Sequence, residues 1–150
     1  RVLFRSTTAL DVTVQRQILQ LIKELRDKFK AGVILVTHDV GVVAETCDRV
    51  NVMYAGRCVE SGGTKNVFLS PKHPYTEGLL ASTLNLSFNM NEPLKAIPGF
   101  PPDLIALPPG CPFSPRCSYR TAQCMAEVPP IIEVDDNHFA ACFNHHLVGK

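Results

Sequence analysis

Apolar residues recur at Val14, Ile18, Leu21, Ile22, Leu25 and Phe29, which lie on one stripe of a 3.6-residue helix. Lys23, Glu24, Arg26, Asp27, Lys28 and Lys30 fill the positions between and around them, so the opposite face is polar. Asp11 is placed to cap this helix, because its carboxylate can accept from the unpaired N–H groups of the first turn. The lysines near the far end suit the negative end of the helix dipole, and Gly32 is the expected stop. Val33-Ile34-Leu35-Val36 is a short β-branched run that predicts a strand buried on both faces, as in a parallel sheet. Thr37-His38-Asp39 comes at its carboxyl end, then a short helix over Val40 to Thr46. Arg49 to Ala55 and Cys58 to Ser61 predict two strands of a hairpin joined at Ala55-Gly56-Arg57. The order helix, strand, helix, strand, strand is that of the back half of an α/β domain.

The pattern then changes. All 12 prolines lie at Pro71 or later, and four of the six cysteines fall between Cys111 and Cys142. The chain therefore reads as an α/β segment over 1–64 and a Pro-rich extension over 65–150 with a compact cysteine-bearing end. In the extension the sequence predicts one short helix over Thr64 to Leu69 and another opened by Pro74 and running to about Leu84. Asn85 to Glu92 is expected to be a loop. Ile97 to Pro102 and Leu107 to Gly110 must be extended or turn structure, since proline blocks helix and interior strand. Ile131 to Ala141 reads as two short strands around a turn at Asp135-Asp136-Asn137.

Charge narrows the function classes. Across 150 residues, 15 basic and 14 acidic side chains leave a net charge of +1, which gives no whole-chain reason to bind nucleic acid or an anionic membrane. Tryptophan is absent and aromatics are 7%, so a base-stacking surface is not expected. No stretch reaches the roughly 18 consecutive apolar residues of a spanning helix, and Arg1 to Ser6 holds no signal-peptide run. Any membrane connection is expected to run through a partner.

Two constellations carry candidate chemistry. In open α/β sheets ligands sit outside the carboxyl ends of the strands, which is where His38 falls. An imidazole there can donate to a phosphate or polarise a water; the plain alternative is a surface or capping histidine. Asp11 by itself reads as a helix cap. The second constellation is Cys111-x5-Cys117, with Cys124 and Cys142 further along. Four clustered thiols in such an α/β chain argue for metal or cluster binding over disulfides. Thiolates suit zinc and iron–sulfur clusters alike, and the spacing lacks the C-x2-C knuckle of many zinc sites, which favours a cluster and leaves zinc or free thiols open. Arg116 is a candidate counter-charge or an ordinary exposed arginine. His145 and His146 are possible competing ligands or a solvated tail. His73, between Pro71 and Pro74, reads as a cap before it reads as a ligand. Cys47 and Cys58 are expected to be small buried apolar residues.

Thr7-Thr8-Ala9-Leu10-Asp11 with Val12-Thr13-Val14-Gln15 directly after it resembles the D-loop of ATP-binding cassette (ABC) ATPases, in the form found in the oligopeptide/dipeptide importer branch. Val33 to Asp39 resembles the strand and switch histidine (H-loop) of the same ATPases. Cys47-Asp48-Arg49-Val50, Met53 to Arg57 and Val59 to Gly62 match the family's segments downstream of that histidine, and the Asp11 to His38 spacing fits. His73-Pro74-Tyr75-Thr76, Ile97-Pro98-Gly99 and Gly110-Cys111-Pro112-Phe113 resemble that branch's C-terminal extension, which carries the likeness to about residue 143. The resemblance implies a subunit that couples ATP and Mg2+ to peptide import. Such a subunit sits peripherally at the cytoplasmic face of the cell membrane, beside a second ABC ATPase subunit and transmembrane permease subunits. Nickel and other small solutes use similar subunits.

It also implies roles. His38 would contact the γ-phosphate and orient the attacking water, as catalysis by positioning requires. Asp11 would lie at the nucleotide and dimer interface. Cys111, Cys117, Cys124 and Cys142 would hold a [4Fe-4S] cluster, with Zn2+ as the alternative. The departures are equally plain. The residues contain no G-x-x-x-x-G-K-[ST] phosphate loop and no Leu-Ser-Gly-Gly-Gln-like signature. Phe4, Arg5 and Ser6 stand where the family has the Asp-Glu-Pro that ends its Walker B strand. The expectation is the C-terminal part of an ATPase subunit behind a foreign leader through about Ser6, inactive as an ATPase on its own. The alternative expectation is a non-enzymatic metal- or iron–sulfur-binding interaction module.

Overall fold

A computed structural model of the chain describes residues 2–4, 11–83 and 96–149. Thr7 to Leu10 of the D-loop-like segment and the loop expected over Asn85 to Glu92 lie outside the described residues. The chain divides into two compact units, Arg1–Cys47 and Asp48–Lys150.

In the first unit strand β1 (Val2–Phe4) pairs in parallel with β2 (Val33–Leu35), with Val2 opposite Val33. Helix α1 (Val12–Phe29) connects them, and α2 (Val40–Thr46) comes after β2. Asp11 caps α1 as its chemistry predicts, its Oδ1 accepting from Thr13 N–H at 2.9 Å. The stop is not Gly32. Lys30 takes the left-handed conformation at φ 51° and its N–H donates to Arg26 O, so the helix has closed two residues earlier. The expectation of a strand buried on both faces is not met. β1 is the partner of β2 in a two-stranded sheet, and Ile34 is 54% exposed. The α1 stripe is likewise open at Leu21, Leu25 and Phe29. The apolar pattern is that of a layered domain, but among the described residues of this unit no side chain is buried.

The second unit has a core. β3 (Arg49–Tyr54) and β4 (Arg57–Gly63) form the expected hairpin, turned by Ala55 at φ 48° and Gly56 at φ 76°. Two successive positive φ values match the twist of antiparallel strands. α3 (Thr64–Leu69) and α4 (Pro74–Thr83) stand where the sequence places them. Much later come α5 (Ala122–Ala126), β5 (Ile132–Asp135) and β6 (His138–Ala140), with Asn137 at φ 52° making the predicted β5–β6 turn. The strands join into one antiparallel sheet in the order β3-β4-β6-β5. Tyr54, Val59 and Phe113 form the buried centre. Tyr54 and Phe113 meet edge-on at 5.2 Å between ring centres, and Tyr75 stacks against both. Cys47 and Cys58, expected to be buried, are only half-buried. Among the described residues no helix is long and apolar enough to cross a membrane.

One buried carboxylate ties this unit together. Glu60 on β4 is 0% exposed. Its Oε1 accepts from Lys72 N–H at 2.7 Å and lies 2.7 Å from His138 Nε2; its Oε2 accepts from His73 N–H at 3.0 Å. With both carboxylate oxygens accepting from backbone, His138 serves as the third donor through Nε2–H. We expect Glu60→Ala to destabilise the chain by about 3–5 kcal/mol, because it strands a buried imidazole and two backbone N–H groups. Urea unfolding of the full chain measures this, and a loss under about 1 kcal/mol would show that water replaces the carboxylate.

Candidate functional site

Local geometry gathers the four thiols of the extension. Cys111 leads into a tight turn in which Ser114 N–H donates to Cys111 O at 2.9 Å and Arg116 N–H to Phe113 O at 3.0 Å. Pro115 in the first turn of this short 3-10 segment fixes its direction, and Cys117 closes it. Cys124 arrives on α5, and Cys111 N–H donates to Cys124 O at 2.8 Å. Cys142 is returned by the β5–β6 hairpin two residues beyond β6, and its neighbour Ala141 donates to Val59 O at 2.8 Å. All four cysteines line one small cavity, walled by Phe113, Tyr119 and Phe143.

The approach of the Cys111 loop to α5 depends on Gly110. A Cβ there would sit 2.4 Å from Cys124 O and 2.6 Å from Met125 C, and neither backbone atom belongs to a side chain that can swing away.

Burial dominates the electrostatics. It pushes the Cys111 and Cys117 thiols up and Cys142 up to about 12, with mutual repulsion among the thiolates adding to the effect. A set of thiolates in this cavity therefore requires a cation to offset its charge. Soft sulfur donors and aromatic walls fit a thiophilic metal group. Among the described residues no three His, Cys, Asp or Glu side chains converge closely enough to hold a single ion.

Several neighbours differ from the sequence reading. Arg116 is neither a counter-charge in this cavity nor idle. Its Nε donates to Pro98 O at 2.8 Å and Nη2 to Ile97 O at 3.3 Å, with Tyr54 Oη 3.5 Å from Nη1, so it fastens the Ile97-Pro98 segment. The cation that eases the Cys117 thiol is Arg120. His145 and His146 stand in a short 3-10 turn and are not among the cavity's lining residues. His73 is more than a cap: it is 1% exposed and lines the cysteine cavity. Its Nδ1 accepts from Tyr75 N–H at 3.1 Å, and burial lowers its pKa to about 4, so it is a neutral imidazole with its proton on Nε2. Only the flanking prolines hinted at a fixed backbone here.

In the first unit, His38 lies exposed beyond the carboxyl end of β2. The next residue, Asp39, caps α2, its Oδ1 accepting from Gly41 N–H at 2.9 Å and Val42 N–H at 3.1 Å. Thr37 Oγ1 accepts from Asp39 N–H at 3.1 Å, so the backbone on both sides of His38 is held while the imidazole faces solvent. Asp11 is exposed and engaged in capping α1.

The first unit is thus a parallel strand pair with an exposed histidine beyond its carboxyl end, and the second holds a small cavity lined by four cysteines. Residues 59–124 match the family described as oligopeptide/dipeptide transporter, C-terminal region. The chain is 50% identical over 142 residues to the oligopeptide transport ATP-binding protein OppD of Mycobacterium tuberculosis, covering 95% of this chain and 23% of that protein. It is 51% identical over 137 residues to the dipeptide transport ATP-binding protein DppD of Bacillus subtilis, covering 91% and 41% respectively. With OppD of Haemophilus influenzae the identity is 54% over 118 residues, 79% of this chain and 36% of that one. The chain is similar to a C-terminal portion of oligopeptide/dipeptide-type ABC ATP-binding subunits. It spans less than half the length of these curated relatives.

The Cys111 loop yields a direct test. We expect Gly110→Ala to cost about 1–3 kcal/mol through overpacking against α5 and to expose the four thiols to alkylation in the native chain. Gly63→Ala, whose Cβ would meet nothing within 4 Å, should stay within about 0.5 kcal/mol of the parent.

Proposed function

We propose that the chain serves as part of the ATP-binding subunit of an ABC transporter that imports peptides and couples ATP hydrolysis to transport. The observation that carries this reading is 50% identity over 95% of the chain to a protein named as an oligopeptide transport ATP-binding protein. In this reading residues 1–64 supply the D-loop and H-loop part of the ATPase domain and residues 65–150 the importer extension. The partners are a second ABC ATPase subunit and transmembrane permease subunits, and the site of action is the cytoplasmic face of the membrane. Bound ATP and Mg2+ supply the phosphoryl group and offset its charge.

The residues of this chain then divide the work. His38, exposed on a backbone fixed by the Thr37 and Asp39 hydrogen bonds, donates toward a terminal phosphate and holds the attacking water in line. Asp11 presents a carboxylate at the start of α1 toward the subunit interface. In a full-length subunit carrying this segment, we expect His38→Ala to cut ATP hydrolysis at least about tenfold while nucleotide affinity falls far less. Equal hydrolysis by variant and parent removes His38 from the site.

Cys111, Cys117, Cys124 and Cys142 hold a [4Fe-4S] cluster in a structural role. The support is their shared cavity, the softness of the donors and the need for a cation among buried thiolates. Anaerobic purification of the chain should yield about four iron and four acid-labile sulfide per molecule, as the cluster type requires. Stoichiometric zinc without sulfide would replace the cluster by a four-cysteine zinc site.

A further inference from the structure

Cys124 differs from the other three cavity thiols in what surrounds its sulfur. Cys111, Cys117 and Cys142 each receive backbone N–H groups, from Phe113 and Ser114, from Tyr119 and from Asn144 respectively. Cys124 Sγ is met by side chains. Thr121 Oγ1 lies 3.3 Å away and Asn144 Nδ2 3.6 Å away, both within sulfur hydrogen-bond range.

Neither contact is incidental to its element. Thr121 occupies the N-cap position of α5, where a threonine hydroxyl ordinarily accepts from the first turn, yet its side chain makes no capping bond. The hydroxyl is turned to the sulfur instead. Asn144 is oriented independently, because its Nδ2 also donates to Tyr119 O at 2.8 Å, which directs the amide N–H2 rather than the carbonyl at Cys124. A metal-bound thiolate carries no proton, so in the ligated state both contacts must run from Thr121 O–H and Asn144 N–H to sulfur.

We propose that Thr121 and Asn144 are positioning residues that donate to the Cys124 sulfur and set the reduction potential of the cluster held by the four cysteines. This rests on the cluster reading above. On one-electron reduction the added charge spreads over iron and sulfur, and donors aimed at a ligand sulfur stabilise that more negative state. In the chain these donors are two removable side chains acting on one ligand, whereas the other three ligands are served by backbone that substitution leaves in place.

The test is a potentiometric titration of the anaerobically purified full chain with dithionite as the electron donor, read by electron paramagnetic resonance. Iron and sulfide are assayed in each sample. Thr121→Val keeps shape and removes the donor; it should move the midpoint to more negative potential by about a tenfold change in the redox equilibrium, which is about 59 mV for one electron. Thr121→Ser should restore the parent midpoint, which a merely structural threonine would not require. Asn144→Leu should shift the midpoint in the same direction and provides the reading if the valine variant fails to fold. A variant with full iron and sulfide and an unchanged midpoint overturns this proposal alone. A parent without iron and sulfide overturns the cluster reading and this proposal with it.

Discussion

The fold of the second unit depends on the buried Glu60 carboxylate. It sits on β4, the strand that the hairpin shares with the rest of the sheet, and takes hydrogen bonds from Lys72 and His73 on one side and His138 on the other. An isolated carboxylate in such a place would be strongly disfavoured by desolvation. With three donors it becomes a clasp that only one arrangement of its neighbours satisfies. The segment before α4 and the strand β6 are 12 and 78 residues from Glu60, so the same side chain fixes a local and a distant element together.

The site is built outward from this clasp. β6 is held against β4 by pairing and by His138, so Cys142, two residues further on, is delivered to a set position. His73, held through its backbone N–H by Glu60 and through Nδ1 by Tyr75, is delivered to the cavity from the other side. Gly110 then lets the Cys111 loop approach α5 at a distance no side chain would permit. The apolar centre is small, with Tyr54, Val59 and Phe113 as its buried members. In the proposed cluster reading, a Pro-rich extension with so little buried apolar surface gains disproportionately from a group that would crosslink four of its residues.

The features legible in the sequence were those governed by local rules. The 3.6-residue period of α1, the Asp11 cap, the hairpin turn at Gly56, the proline that opens α4 and the turn at Asn137 all appear where residue chemistry places them. The cysteine spacing singled out four thiols that line one cavity. The features that were not legible depend on residues far apart in the chain. Nothing near Glu60 announces that it will be buried, because its donors come from two other elements. Arg116, from its position beside Cys117, reads equally as a counter-charge or an exposed arginine, but its long side chain reaches the Ile97 and Pro98 carbonyls instead. The burial expected for Val33 to Val36 failed for a different reason: the strand has the composition of a sheet interior, while among the described residues it has one pairing neighbour.

The caps give the sharpest contrast between the two kinds of information. Asp11 and Asp39 stand at helix starts and accept from the first-turn N–H groups, as local chemistry demands. Thr121 stands at an equivalent position and does not. A five-residue helix has few backbone bonds of its own, so forgoing a cap, commonly worth about 1 kcal/mol, is a sizeable sacrifice of local stability. Local rules are most often broken where a structure serves something besides its own folding. Here the forgone cap places a hydroxyl on the sulfur of Cys124, beside an amide already anchored by Tyr119. The departure from capping, rather than the cysteine pattern alone, sets the surroundings of Cys124 apart from those of the other three thiols.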